Sequence, residues 1–306
     1  MSVLFDMIIL GAGPAGLSAG LHGARWGRKT LLVERGQIGG HLLEMERVID
    51  YPGFPEGIEG AELGIKMYEQ ASQAGLQTAF GEVTAVEMQG PNFAVEASGE
   101  IFHGRSLIIC TGESPKKLGV PGEDALYGSG VSYCVVCDAP LYRGMEVAVV
   151  GSGDEAAADA LYLSKFARRV MIIGQAKGME CHPKLQKEIS DQGNIECQFG
   201  SEIHSLAKDE GGIRIFLKKA GSADRWEILC RGLFVSIGRV PNTGFLQGKV
   251  PLSETQHIRT QEDLQAGASP LWAAGRVREG SIPSTAADVG EGARAAFMAE
   301  RYLSSR

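Results

Sequence analysis

The sequence predicts an α/β protein that contains two copies of one unit of strand, turn, helix and strand. At 306 residues, the chain exceeds the length at which a single hydrophobic core usually stops growing, which favours two domains. An apolar strand at 3–10 leads into Gly11-Ala-Gly13-Pro-Ala-Gly16, and an apolar strand at 145–150 leads into Gly151-Ser-Gly153-Asp-Glu-Ala156. A helical stretch follows each turn, so the sequence repeats a whole unit of structure.

Composition and charge narrow the class of protein. Apolar residues make up 44% and charged residues 22%, as in soluble globular proteins, and the 42 glycines are about twice the usual share. The net charge of −7 and the absence of long Lys/Arg runs exclude a nucleic-acid-binding protein. No apolar run approaches the roughly 20 residues that span a bilayer, and the first residues lack a basic signal-peptide start. We therefore expect a cytoplasmic protein without membrane contact.

The first glycine-rich turn has the pattern of a dinucleotide site. Gly11 allows the tight turn, Gly13 lets the backbone approach a pyrophosphate, and Gly16 lets helix and strand pack closely. Glu34 follows a second predicted strand, at 29–33, and lies eighteen residues after Gly16. A carboxylate there accepts a hydrogen bond from a ribose hydroxyl and repels a 2′-phosphate. The site therefore suits FAD or NAD better than NADP.

The second turn lacks the residue that would select a nucleotide. Eighteen residues after Ala156 comes Gly174, which offers neither a carboxylate for NAD nor a cation for NADP. A pyrophosphate can still lie on the turn, although Asp154 and Glu155 would repel it unless their side chains point away. Two interpretations remain open, a site for some dinucleotide and a structural domain without a ligand.

A Cys-x-x-Cys motif, Cys134-Val-Val-Cys137, lies just before the second unit, and Asp138 follows it. The other cysteines, Cys110, Cys181, Cys197 and Cys230, form no second such motif, so we expect no tetrahedral metal site. This spacing commonly lowers the pKa of one thiol, and a flavin is a suitable two-electron partner for a dithiol. Asp138 can transfer protons or, equally, cap a following helix.

With these motifs, the chain resembles the low-molecular-weight thioredoxin reductases over essentially its whole length. Further matching stretches are Gly39-Gly40, Asp50-Tyr-Pro-Gly-Phe-Pro-Glu-Gly57, Thr111-Gly112, Lys117-Leu-Gly-Val-Pro-Gly-Glu123, Gly238-Arg-Val-Pro-Asn-Thr243 and Ala273-Ala-Gly275. The resemblance implies two Rossmann-like, three-layer domains, the second inserted into the first. An FAD-binding domain would comprise 1–114 and 243–306, and an inserted module like an NAD(P)H domain, 115–242, would carry the Cys-x-x-Cys motif. It also implies a homodimer.

The resemblance assigns roles to individual residues. Cys137 would be the thiol near the flavin, Cys134 the interchange thiol that attacks the partner disulfide, and Asp138 the proton donor. The residues expected to bind FAD are Gly11, Gly13, Pro14, Ala15, Gly16, Glu34, Arg35, Gly40, His41, Thr111, Gly112, Gly275, Arg276, Ile282 and Ser284. The residues of a second dinucleotide site would be Gly151, Gly153, Asp154, Ala156 and Gly174.

The chain departs from the family at both nucleotide sites. The NADPH-binding signature, His-Arg-Arg with an Arg four residues later, is replaced by Gly174, Gln175, Ala176 and Glu180. The Gly-Asp motif, whose Asp meets the flavin ribityl chain, reads Gly275-Arg276. The Arg-Gln pair near the flavin ring corresponds to about Ser281-Ile282, and the Gln after Gly-Gly is His41. We also expect a helix from about 284 to 302 whose N-terminus faces the flavin pyrimidine edge.

The sequence therefore predicts an FAD-dependent disulfide oxidoreductase that dispenses with NADPH. Two electrons would pass between FAD and a thioredoxin-like protein or small disulfide, with ferredoxin or another donor as their source. Three alternatives remain open: a flavin-dependent dithiol oxidase that uses oxygen, an ordinary NADPH-dependent thioredoxin reductase, and a non-enzymatic flavin-binding redox sensor. The inserted module would hold either a second dinucleotide, FAD or NAD(P)H, or none.

Overall fold

The computed structural model describes residues 3–219, 221–222, 224–246, 248–267 and 270–306. Its strands are β1 (Leu4–Leu10), β2 (Thr30–Glu34), β3 (Gln77–Phe80), β4 (Val83–Gln89), β5 (Asn92–Ala97), β6 (Glu100–Ile109), β7 (Glu113–Pro115), β8 (Val131–Ser132), β9 (Glu146–Val150), β10 (Arg169–Gly174), β11 (Ile195–Phe199), β12 (Ser201–Asp209), β13 (Gly212–Lys219), β14 (Arg225–Cys230), β15 (Gly232–Val235), β16 (Arg239–Pro241) and β17 (Leu271–Ala273). Its α-helices are α1 (Pro14–Arg25), α2 (Gly60–Gln73), α3 (Glu123–Leu126), α4 (Val135–Asp138), α5 (Asp154–Ser164), α6 (Pro183–Asp191) and α7 (Thr285–Ser304). Short 3-10 helices are Gly40–Glu44, Ala139–Tyr142 and Gly244–Leu246.

The chain divides into two compact units. Unit 1 comprises the residues up to Ser114 together with Val240–Arg306, and unit 2 is Pro115–Arg239. The sequence-based boundary for the return to the first domain, at residue 243, lies three residues later than Val240. Within the described residues, no helix is long and apolar enough to cross a membrane.

Unit 1 is built on a seven-stranded sheet in the order β3-β2-β1-β6-β5-β4, with β17 also paired to β6. Strands β3, β2, β1, β6 and β17 run parallel, whereas β4 and β5 continue from β6 as an antiparallel meander. The run of buried residues in β1 and β2 is typical of parallel strands that are covered on both faces. The carboxyl ends of β1, β2, β6 and β17 therefore meet at one edge of the sheet.

Two apolar layers cover this sheet. One contains the inner faces of α1 and α7 against β1 and β6, with Leu17, Ala295 and Ala299 among its fully buried side chains. The other contains the meander residues Phe93 and Val95 together with apolar residues between 246 and 277. The unit is thus a three-layer α/β domain.

Unit 2 repeats the plan with a smaller sheet. Its five parallel strands have the order β11-β10-β9-β15-β8. Helix α5 contributes Ala157, Ala160 and Leu163 to the core on one face, and the antiparallel sheet β12-β13-β14 covers the other. The alternating burial along β13 is what a sheet with one solvent-facing side requires.

Candidate functional site

The first glycine-rich turn joins β1 to α1 and has no room for side chains at two of its glycines. Gly11 has φ +100°, and its amide donates to the carbonyl of Val33 at 2.8 Å. A methyl group on Gly11 would clash with the carbonyl of Cys110, and one on Gly16 would clash with the carbonyl of Gly11. Gly13 caps α1 without a side chain, so the helix amides remain open to an anion.

Glu34, at the end of β2, is fixed against this turn by its side chain. Its Oε2 accepts a hydrogen bond from the Ala12 amide at 2.7 Å, and its Oε1 accepts one from the Gly36 amide at 2.8 Å. Each carboxylate oxygen keeps further acceptor capacity. A cavity of about 230 Å³ adjoins the carboxylate, and its lining includes Gly11, Glu34, Arg35, Glu82, Thr111 and Asn242.

Thr111 and Arg35 belong to a small polar network in which Asn242 is central. Thr111 Oγ1 donates to the Asn242 carbonyl at 2.8 Å, and Asn242 Nδ2 donates to the Thr111 carbonyl at 2.8 Å. Arg35 contacts Ser114 Oγ at 2.8 Å, and Ser114 Oγ in turn contacts Asn242 Oδ1 at 2.7 Å. Sequence reasoning missed Asn242 as a site residue, although it stood in a matched stretch, Gly238 to Thr243.

The predicted residues Gly40 and His41 begin the 3-10 helix Gly40–Glu44, beside the same turn. The Gly39 amide donates to the Ala12 carbonyl at 2.9 Å, and a methyl group on Gly40 would lie 3.0 Å from Gly13 Cα. His41 Nδ1 is 2.9 Å from Glu44 Oε2. The backbone at Gly39 and Gly40 therefore closes one side of the turn, while the imidazole of His41 pairs with a carboxylate of its own 3-10 helix.

Gly275 and α7 approach the start of α1 from another side. The Gly275 amide donates to Glu291 Oε2 at 2.8 Å, and a methyl group on Gly275 would lie 3.0 Å from Ala15 Cβ. Gly292 has no room for a side chain because its position touches the Ala15 carbonyl. The segment after β17 and the first turns of α7 therefore converge on the predicted FAD-binding residue Ala15.

A charge pair of half-buried Arg276 with buried Asp288 occupies this region. Arg276 Nε lies 3.6 Å from Asp288 Oδ2, and Asp288 is only 6% exposed. Neither Arg276 Nε nor Asp288 Oδ1 has a hydrogen-bond partner. Burial raises the pKa of Asp288 to about 7 against the opposing effect of Arg276, and Glu291 and Glu113 add to the rise. Sequence reasoning missed Asp288.

The two remaining predicted FAD residues precede α7. Ile282 exposes 64% of its surface, and its carbonyl accepts from the Ser284 amide at 2.7 Å. Ser284 is the N-cap of α7, yet its hydroxyl makes no capping hydrogen bond. Helix α7 begins at Thr285 and ends at Ser304, close to the predicted range of 284–302.

In unit 2, Cys134 and Cys137 form a disulfide with a Cα–Cα distance of 5.3 Å. Cys134 is the N-cap of α4, and its Sγ accepts a hydrogen bond from the Cys137 amide at 3.2 Å. Asp138 is the N-cap residue of the 3-10 helix at Ala139–Tyr142, but its side chain makes no capping hydrogen bond. Its predicted role as a proton donor stays a prediction.

The other cysteines have no disulfide partner in the described part of the chain. Cys110, Cys181 and Cys230 are buried, and Cys197 is exposed. Burial raises the pKa of Cys230 to about 12, and it also raises the pKa of Cys110 and Cys181. Across the described residues, no group of three His, Cys, Asp or Glu side chains is placed to hold a metal ion.

The second glycine-rich turn borders a cavity of about 850 Å³ in unit 2. Its lining includes Lys116, Lys117, Gly151, Gly153, Gly174, Gln175, Ala176 and Glu180. Asp154 Oδ1 accepts from the His182 amide at 2.6 Å, and Glu155 pairs with Arg239 at 3.1 Å. Both acids of the turn therefore have partners of their own, and the amides around Gly153 carry no side-chain cap.

The positions that would select a nucleotide in unit 2 are neutral or acidic. Gly174 ends β10, and a methyl group there would lie 3.0 Å from the Phe199 ring. The Glu180 amide donates to the Ser152 carbonyl at 2.7 Å, and Ser152 Oγ is 3.3 Å from Glu180 Oε2. The fold thus places an acidic side chain on the second glycine-rich turn itself, a contact that the spacing of the two residues did not predict.

Two domains of this fold and a Cys-x-x-Cys disulfide define a flavoprotein disulfide oxidoreductase, and comparison with known proteins specifies the family. Residues 5–292 match the family model described as pyridine nucleotide-disulphide oxidoreductase. Thioredoxin reductase of Bacillus subtilis (strain 168) is 33% identical over 302 residues, 98% of this chain and 95% of the relative. The crystal structure of Lactococcus lactis thioredoxin reductase matches with a TM-score of 0.91 and 32% identity over 99% of this chain and 100% of the other.

The chain belongs to the thioredoxin reductase-like family of disulfide oxidoreductases. The predicted family and fold class are therefore confirmed. A ferredoxin-flavin thioredoxin reductase from Clostridium acetobutylicum is also similar, with a TM-score of 0.55 and 26% identity over 99% of each chain.

Proposed function

We propose that this chain is an FAD-dependent oxidoreductase that passes two electrons to a disulfide through Cys134 and Cys137 and takes them from a donor other than NADPH. The substrate would be a thioredoxin-like protein or a small disulfide. The choice of donor rests on one observation: the Glu180 carboxylate lies on the turn at Ser152. The cavity beside it has no cation at the positions that would select NADPH, which are Gly174, Gln175, Ala176 and Glu180. The ferredoxin-linked relative supports ferredoxin as the donor.

The residues of unit 1 fit FAD. The turn from Gly11 to Gly16 has no side chain at Gly13, the N-cap of α1, and so leaves open amides for a pyrophosphate. Glu34 is held at the turn by the Ala12 amide and keeps acceptor capacity for ribose hydroxyls. FAD would supply a centre that accepts two electrons from the donor and delivers them to the protein disulfide.

The disulfide chemistry is carried by residues of unit 2. Two electrons and two protons convert the Cys134–Cys137 disulfide to a dithiol. The Cys134 thiolate attacks a partner disulfide, forming a mixed disulfide and releasing one partner thiolate. Cys137 then attacks the Cys134 sulfur, which restores the disulfide and releases the partner as a dithiol. The Cys137 amide, hydrogen-bonded to Cys134 Sγ, favours Cys134 as the attacking thiolate, and Asp138 is the adjacent group to supply a proton.

The charges of the residues that would contact a 2′-phosphate argue against NADPH as the electron donor. Recognition of a 2′-phosphate usually relies on charge-assisted hydrogen bonds worth roughly 1.5–3 kcal/mol each. The positions that align with the family's cations hold Gln175, Ala176 and Glu180. Losing two such contacts weakens binding by about two orders of magnitude or more. Lys116 and Lys117 also line this cavity but lie outside these positions, and Lys117 Nζ is bound to Asp124 Oδ1 at 2.6 Å.

The test is a comparison of donors under anaerobic conditions. The purified flavoprotein is mixed with NADPH, NADH or reduced ferredoxin in a stopped-flow instrument, and flavin bleaching and thioredoxin reduction are followed. We expect rapid reduction by ferredoxin and slow or no reduction by either nucleotide. Full bleaching within seconds at micromolar NADPH would return the chain to the NADPH-dependent enzymes. Oxygen uptake with added dithiols, without ferredoxin-linked turnover, would identify a dithiol oxidase instead.

The proposal extends to the cavity of unit 2 and to assembly. The open turn at Gly151 and Gly153 and a volume of about 850 Å³ support a second dinucleotide without a 2′-phosphate. A flavin-to-chain ratio near two in the purified protein would identify it as a flavin.

A homodimer follows from the family resemblance, and light scattering of the purified protein tests it.

A further inference from the structure

The two glycine-rich turns are built in the same way within their own units. The first glycine of each turn donates its amide to the penultimate residue of the neighbouring parallel strand, to the Val33 carbonyl at 2.8 Å in unit 1 and to the Ile173 carbonyl at 2.9 Å in unit 2. The last residues of these strands, Glu34 and Gly174, therefore hold equivalent positions beside their turns.

Gly174 has no room for the carboxylate that Glu34 provides in unit 1. A methyl group on Gly174 would lie 3.0 Å from the Phe199 ring and 3.5 Å from the Gly151 carbonyl oxygen. Phe199 ends β11 and is the register partner of Gly174, so the ring is held against this position by the sheet. The end of β10 therefore does not supply an acceptor for a ribose.

A carboxylate nevertheless reaches the middle residue of the second turn. In unit 1 the middle residue is Ala12, whose amide donates to Glu34 Oε2 at 2.7 Å. In unit 2 it is Ser152, whose hydroxyl donates to Glu180 Oε2 at 3.3 Å and whose carbonyl accepts from the Glu180 amide at 2.7 Å. The segment after β10 thus brings an acid to the residue of the turn that the last residue of β2 contacts in unit 1.

The Glu180 carboxylate is accessible to a ligand. Glu180 is exposed, and it lines the cavity of about 850 Å³ together with the turn residues Gly151, Ser152 and Gly153. A methyl group on Gly153 would meet nothing within 4 Å, as is also true of Gly13 in unit 1, so there is free space in front of both turns. A carboxylate has about four lone-pair sites, and the Ser152 hydroxyl occupies one of those of Glu180.

We propose that Glu180 recognises the adenosine ribose in unit 2, and that the cavity takes the adenosine diphosphate half of a dinucleotide with free 2′- and 3′-hydroxyl groups. Hydroxyl groups donate to a carboxylate, whereas a 2′-phosphate is repelled by it. The pyrophosphate would lie on the amides that follow Gly153. NAD(H) and FAD share this half. The inference rests on the proposed occupation of the cavity of unit 2 by a dinucleotide.

The experiment measures ligand binding to the purified flavoprotein of full chain length by calorimetry. The ligands are ADP-ribose, which lacks a nicotinamide or flavin ring, and 2′-phospho-ADP-ribose. We expect the wild type to bind ADP-ribose about ten-fold or more tightly than its 2′-phosphate, a difference typical of hydrogen bonds to a charged group. Glu180→Gln should bind ADP-ribose about ten-fold more weakly and the 2′-phosphate no more weakly, so the preference disappears. Glu188→Gln, which removes a half-exposed acid of α6, is the matched control and should keep the preference.

Flavin content distinguishes the two sources of the adenosine diphosphate half. A flavin-to-chain ratio near two that falls in Glu180→Gln, but not in Glu188→Gln, would identify the ligand as FAD. A ratio of one, with the expected binding of ADP-ribose, would assign the site to a nicotinamide dinucleotide.

A ligand analogue separates contact from folding. 2′-Deoxy-ADP-ribose should bind the wild type more weakly than ADP-ribose does, and Glu180→Gln should weaken its binding less. The bond from the amide of residue 180 to the Ser152 carbonyl is retained in the variant and keeps the loop in place. The same preference in wild type and Glu180→Gln, or no binding of ADP-ribose at a flavin ratio of one, would overturn the inference while ferredoxin-linked turnover persists. Flavin bleaching by NADPH would instead overturn the proposed function.

Discussion

The carboxylate of Glu34 lies 2.7 Å from the amide nitrogen of Ala12, and this bond ties the end of β2 to the turn after β1. Replacing Glu34 with Ala removes that contact and, on our proposal, the acceptor for the ribose hydroxyls of FAD. We expect FAD binding to weaken about 10- to 100-fold, since a hydrogen bond to a charged group contributes roughly 1.5–3 kcal/mol. Fluorescence titration measures this, with Glu82→Ala, an acid lining the same cavity, as the control. Equal losses in both variants would contradict a specific role for Glu34.

The variants Cys134→Ser and Cys137→Ser should react with a partner disulfide at different rates. In Cys137→Ser the remaining thiol, Cys134, keeps its position as N-cap of α4 and its hydrogen bond from the amide of residue 137. That bond stabilises the thiolate, so Cys137→Ser should form a stable mixed disulfide with oxidised thioredoxin faster than Cys134→Ser does. Mass spectrometry after acid quenching measures the adducts. The same rate in both variants would reject Cys134 as the interchange thiol.

Adding cations at the selecting positions of unit 2 should create NADPH binding. The triple variant Gln175→Arg, Ala176→Arg and Glu180→Arg removes the acid at Ser152 and supplies donors for a 2′-phosphate. We expect NADPH to bind about 100-fold more tightly, as measured by calorimetry. The double variant Glu188→Arg and Asp191→Arg, two charge reversals on α6 in the same unit, adds the same four charges and is the control for net charge. No gain over that control would show that charge is not what excludes NADPH.

The apoprotein should gain stability when Asp288 becomes neutral. The pKa of Asp288 is raised in the folded protein from its ordinary 3.8 to about 7, so the folded state binds more protons between these values. The free energy of unfolding therefore falls as pH rises from about 4 to 7 on account of this group. Asp288→Asn lacks that effect and should exceed the wild type by about 1–3 kcal/mol at pH 8 and by less at pH 5.

Urea denaturation of apoprotein at the two pH values measures the difference. Glu300 should change the free energy of unfolding with pH in the opposite direction, because its hydrogen bond with Arg28 lowers its pKa. Its contribution is present above the unfolded pKa and is lost as pH falls. A smaller gain for Asp288→Asn at pH 8 than at pH 5 would contradict the burial of an ionisable carboxyl at this position.

The sequence predicted those parts of the molecule whose residues are neighbours in the chain. Each unit of strand, turn and helix leaves a local pattern, and Glu34 and Gly174 end their strands as the spacing indicates. The pairing of Ser152 with Glu180 and the approach of Asp288 to Arg276 depend on how a loop or helix is set against the sheet. Hydrophobic periodicity predicts helices and strands but not how a loop or helix packs against the sheet. The burial of Asp288 could not be predicted either, because a charged residue in a helix usually indicates a solvent-facing position.

The close contact of Gly292 with Ala15 joins two helices that are synthesised far apart in time. Helix α1 is synthesised first, but α7, which packs on it, emerges almost three hundred residues into the chain. Unit 2 is contiguous, from Pro115 to Arg239, and is complete long before. Because domains generally fold as units during synthesis, the disulfide-bearing module should acquire its structure while the earlier residues still lack their last strand and helix. Nascent chains stalled before β17 should therefore contain a protease-resistant unit 2 and a protease-sensitive N-terminal segment.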